Sequence, residues 1–147
     1  MEQLNIDTGI REFCINGQGV LRFNPSDPNL YGRFLQAMEE IQSIEEEMVR
    51  KGNQNPENGK KMLDLILQAD KSTKQQLTNV FGNENDFNQL LSGVNLMAVC
   101  ENGERVITNL FAALSPILEG GTESFLKAKA DKVRQDAKKR REAQAAV

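Results

Sequence analysis

The chain has 147 residues, the size of one ordinary domain, and its 39% hydrophobic and 27% charged residues describe a globular chain able to build a core. Histidine and tryptophan are absent, which excludes Ser-His-Asp and Cys-His nucleophile pairs and every histidine-ligated metal site and leaves an aliphatic core with seven phenylalanines and Tyr31. The formal charge of −3 hides a polarity: residues 128–147 carry seven basic and three acidic side chains, a local +4 that leaves −7 for residues 1–127.

Met1 to Ile10 carries Glu2 and Asp7 and has neither a basic nor an apolar secretory region, which predicts a cytoplasmic protein. Residues 10–23 then give two short runs rich in aromatic and branched residues around Gly17-Gln18-Gly19, the pattern of a β-hairpin. A lone hairpin is marginal in water, so its apolar side (Phe13, Ile15, Val20 or Leu21, Phe23) must lie against helices or another chain. Cys14 here and Cys100 later sit in apolar stretches far apart in sequence and form no C-x-x-C pair, which predicts two buried free thiols.

Asn24-Pro25-Ser26-Asp27-Pro28 ends the second strand and opens a helix, with Ser26 or Asp27 as cap and Pro28 in the first turn. Along that helix Leu30, Phe34, Ala37, Ile41, Ile44 and Met48 recur at spacings of 4, 3, 4, 3 and 4, with Glu39, Glu40, Glu46 and Glu47 on the other face. The stripe covers just enough heptads to suggest a coiled coil, but burial in the protein's own core is its ordinary use. Asn55-Pro56 marks the start of a second long helix that carries Met62, Leu63, Ile66, Leu67, Leu77, Val80 and Phe81 and ends at Gly82. Asn85 or Asp86 opens a short helix stopped by Ser92-Gly93. Asn102-Gly103 between apolar runs suits a hairpin turn or the turn of a helix pair. The helical spacing of Val106, Leu110, Leu114 and Leu118 favours helices on both sides of it. Gly120-Gly121 is expected to break the pattern before a separate basic helix from Thr122.

The expected architecture is therefore mainly α: a helical domain over 1–127 opened by a hairpin at 10–23, with about five helices and a projecting charged helix or tail over 128–147. The longest nearly apolar run, Leu110 to Leu118, is far shorter than the roughly 20 residues of a membrane span, so no membrane is expected.

Chemistry is sparse. Glu39, Glu40 and Glu45 to Glu47 read as a solvated helix face rather than a metal site, and Asp70, the one carboxylate inside an apolar stripe, is explained by a hydrogen bond or an ion pair with Lys74. The glycine pairs lack the lysine or the βαβ setting of a phosphate cradle. No catalytic, cofactor-binding or metal site is expected. Lys138, Lys139, Arg140 and Arg141 carry the alternative of nucleic-acid binding, but no aromatic residue lies near them and the acidic body repels a duplex. The acidic body and basic end together favour self-association.

The segments Val80-Phe81-Gly82, Asn85 to Gly93 and Asn109-Leu-Phe-Ala-Ala-Leu-Ser-Pro-Ile-Leu118, with the hairpin and acidic helix before them, resemble the tail assembly chaperones of long-tailed bacteriophages and prophages of Gram-positive bacteria. The resemblance covers much of residues 10–118 and implies a non-enzymatic protein of the host-cell cytoplasm. Such a protein binds the helical tape-measure protein and promotes assembly of the tail-tube protein around it. The alternative is a nucleic-acid-associated phage accessory protein acting through the basic end. Under the resemblance, Phe34, Ile41, Met48, Phe111 and Leu114 are the positions where the core and a partner surface compete.

Overall fold

A computed structural model describes residues 1–145: a two-stranded antiparallel hairpin followed by four helices. Strands β1 (Arg11–Ile15) and β2 (Gly19–Phe23) pair with Phe13 opposite Leu21. The turn is built by Asn16 and Gly17, at φ 52° and 70°, the left-handed pair that an Asn-Gly turn supplies. Strand alternation turns Phe13, Ile15, Leu21 and Phe23 toward the helices, so the core residue is Leu21 and Val20 is exposed. The same alternation overturns the expectation of two buried thiols: Cys14 points outward and is exposed, and Cys100 is half-buried, although both are free. Asn85, itself buried, closes the other edge of β2, accepting from the Arg22 amide (2.9 Å) and donating to the carbonyls of Arg22 (2.9 Å) and Phe81 (2.8 Å).

Helix α1 (Pro28–Gln54) begins where the Pro-Ser-Asp-Pro signal places it, with the Asp27 carboxylate accepting from the Asn29 amide at 2.9 Å. It packs against α2 (Gly59–Phe81), which starts three residues later than Asn55-Pro56 suggests because Asn58 is the side chain that caps it, accepting from Lys61 at 3.0 Å. Gly82 ends α2 at φ 101° and ψ 157°, leading the chain away extended, and the Arg33 guanidinium of α1 holds the Val80 carbonyl at the same end. Helix α3 (Phe87–Leu90) is a single turn capped by Asp86.

Two sequence expectations fail in the second half. Leu96 to Cys100 forms no helix; Asn102-Gly103 makes the hairpin-type turn, with a bridge between Val99 and Arg105 and the Cys100 amide on the Glu104 carbonyl at 2.8 Å. The run is too short to bury a helical face, and it places Leu96 and Met97 inside while leaving Val99 exposed. Second, α4 (Val106–Ala145) runs unbroken through Pro116, Gly120 and Gly121, so the basic end is the continuation of the last core helix rather than a separate element. Glycine weakens a helix by only about 1 kcal/mol, too little to stop one whose preceding turns are anchored by buried Leu110, Leu114 and Leu118.

A ladder of rings runs through the core: Phe13 stacks on Phe23 at 4.8 Å, Phe23 meets Phe81 edge-on at 5.1 Å, and Phe81 links Phe87 to Phe34. Thr73 is buried inside α2 with no partner for its hydroxyl among the described residues. Thr73→Val keeps the shape and removes that group, and it is expected to raise stability by about 1 kcal/mol, or the melting temperature by about 3 °C. A fall in the circular-dichroism melt would show that the hydroxyl has a native partner.

Candidate partner-binding surfaces

Four of the five residues singled out as competing between core and partner belong to the core. Phe34 and Ile41 are 1% exposed, Met48 3% and Leu114 5%, so these side chains are covered within the core; of the α1 stripe Ile44 alone is half-buried, and with Met48 it lines an open depression of ≈ 330 Å³ between α1 and α2. Phe111 is half-buried; its ring lies edge-on to Phe34 at 5.6 Å and lines the bottom of an open groove between α1 and α4.

That groove is formed by a second stripe of α1. Leu35, Met38, Gln42, Glu45 and Val49 follow one another at spacings of 3, 4, 3 and 4, one residue out of step with the core stripe. Sequence reasoning missed it because polar Gln42 and Glu45 interrupt it, whereas the neighbouring stripe is wholly apolar. Leu35 and Val49 remain exposed, at 46% and 38%, and Ile41, Ile107 and Phe111 supply the floor of a depression of ≈ 460 Å³. A second, mostly polar depression shares Gln42 and Glu45 and continues on the face of α1 alone past Glu46 and Val49 to Asn53. From Leu35 to Asn53 the helix rises about 27 Å.

The groove's rim is acidic. Glu45 is held by the Arg105 guanidinium at 2.7 Å, which also donates to the Met97 carbonyl, whereas Glu46 takes only an amide bond from Gln42 and Glu39 has no ion pair among the described residues. The nearby cation Arg50 is engaged by Glu47 at 2.8 Å. Arg50 and Lys51 hold the Glu47 carboxyl below its ordinary range, so this exposed pairing persists at neutral pH and is lost as acid protonates Glu47.

The expected Asp70–Lys74 pair is present at 2.9 Å, and it belongs to a structural knot. Asp70 also accepts the Leu96 amide at 2.7 Å, and Lys74 donates to Asn88 and to the Val94 carbonyl, pinning the loop after α3 onto α2. Among the described residues no group of carboxylates or thiols is placed to hold a metal ion, and no helix is long and apolar enough to cross a membrane. On α4, Lys138, Lys139, Arg140 and Arg141 are all exposed, and Arg134, Lys138 and Arg141 share a face at one-turn intervals. Loose pairs with Asp131 (3.7 Å) and Glu142 (4.0 Å) partly neutralise that face. No protein-family model, curated protein or solved structure matches the chain.

Proposed function

We propose that the protein is a non-enzymatic phage tail assembly chaperone, which works in the host-cell cytoplasm, binds the helical tape-measure protein and promotes assembly of tail-tube protein around it. The observation that carries this reading is the uncovered groove between α1 and α4, floored by Ile41, Ile107 and Phe111, edged by the exposed Leu35 and rimmed by Glu39 and Glu45. A helix that exposes an apolar stripe needs such a surface to stay in solution, and an acidic surround keeps the complex soluble. The motif resemblance over residues 10–118 adds to it. The acidic body and exposed basic end of α4 supply complementary charge for self-association of the chaperone.

Co-expression with a phage tape-measure protein, taken from the same genome as this chain, is the test. The partner is expected to move from the insoluble to the soluble fraction and to be recovered with this protein by affinity pull-down. Equal solubility without it, and no recovered complex, would end the chaperone reading.

A further inference from the structure

We propose that the α1/α4 groove is a docking site for one amphipathic helix of another protein, about 18 residues long, with large apolar side chains on one face and lysine or arginine flanking them. The proposal rests on the chaperone reading and names the surface and the chemistry by which the client is held.

Length and shape come first. The groove between α1 and α4 runs from Leu35 to Glu45, and a second depression continues from Gln42 to Asn53 on the exposed face of α1 alone, so a helix that follows α1 over both needs a matching number of residues. The apolar contacts at either end, Leu35 with Phe111 and then Val49, stand where side chains of a docked helix would insert. Charge chooses the flanks. Glu39 and Glu46 lie seven residues apart on the rim, and the cations near them, Arg50 and Arg105, are already engaged by Glu47 and Glu45. A helix flanked by acidic residues would set like charges against this rim, whereas a basic one completes it.

The most basic helix in view is this protein's own α4 end, yet it is a poor occupant. Residues 128–147 offer six alanines and two valines and no larger apolar side chain. Alanine cannot fill a depression floored by Phe111 and Ile107. The groove therefore selects a client with leucine-sized residues on its stripe.

The experiment uses the full chain and two synthetic helical peptides of about 18 residues that share a leucine stripe and differ only in lysine or glutamate beside it. Fluorescence anisotropy is read with the natural protein and with L35D, the pair E39K/E46K, and L63D, which alters an exposed leucine of α2 that does not line the groove and serves as control. The lysine peptide is expected to bind, L35D to weaken it by at least about tenfold, and E39K/E46K to reverse the preference between peptides. L63D should leave binding unchanged, and circular dichroism should show all variants folded. Equal affinity for both peptides overturns the proposal, as does equal weakening by L63D. A self-association that L35D abolishes, without peptide binding, overturns it in favour of a second copy. Co-expression separates the two readings: if L35D still solubilises the client, the groove assignment fails and the chaperone reading stands. If the peptide binds but no client is solubilised, the reverse holds.

Discussion

Replacing Phe34 with alanine is expected to lower the free energy of unfolding by about 3 to 5 kcal/mol, a large share of what holds a domain of this size together. Phe34 is 1% exposed and sits in the second turn of α1 on its packed face, with Phe81 from the end of α2 edge-on at 6.5 Å and Phe111 from α4 edge-on at 5.6 Å. Removing the ring therefore opens a cavity where three helices meet, and none of them can close it without leaving its other contacts. Denaturant unfolding monitored by circular dichroism reads this directly; a loss under about 1 kcal/mol would mean that the helices repack around the gap. The adjacent residue gives the contrast. Leu35 is 46% exposed, so L35D should cost little stability while it damages binding. Two consecutive leucine-sized positions on one helix thus have opposite consequences, one for the fold and one for the partner.

That contrast also explains what could be read before the fold was known. The core stripe of α1 was legible because every member from Leu30 to Met48 is apolar and each successive pair falls within one turn. Its neighbour was not, since Gln42 and Glu45 dilute it, and only the placement of Phe111 and Ile107 across from it turns a mixed face into a groove. The hairpin was legible from its turn and alternation, but the choice between Val20 and Leu21 waited on a register that places Leu21 opposite Phe13. Around Asn102-Gly103 turn chemistry outweighed helical spacing, because bonds across the turn, Val106 to the Ala98 carbonyl and Ile107 to that of Leu96, both at 2.9 Å, join with the distant bond of the Leu96 amide to Asp70 at 2.7 Å to hold the run in place. No local pattern announces such bonds. The resemblance to tail assembly chaperones rested on helix ends and apolar spacing, features of the fold, and left the binding surface to be found in the geometry.

The glycine pair in α4 provides the last prediction, in which two neighbouring substitutions have opposite signs. Read as sequence, Gly120-Gly121 is a break; in the structure both lie inside a continuous helix, and their uses differ. At Gly121 the helix crosses the turn between β2 and α1 so closely that a β-carbon would overlap the Pro25 carbonyl oxygen, with the Ser26 amide nitrogen 3.1 Å away. Both neighbours are backbone and cannot swing aside. Moreover, Pro25 is itself buried, and the residues after it begin α1, so the turn has nowhere to retreat. At Gly120 a β-carbon meets nothing within 4 Å. Gly120→Ala is therefore expected to stabilise the protein by about 0.5 to 1 kcal/mol, the ordinary gain of alanine over glycine in a helix. Gly121→Ala would receive the same propensity gain but must force α4 away from the turn, so a net loss of about 1 to 3 kcal/mol is expected. Thermal or denaturant unfolding of the two single variants, compared with the natural chain, decides the matter. If both substitutions stabilise, α4 does not pack against the Pro25 turn, and its course beyond Leu118 would have to be redrawn as a helix clear of the hairpin.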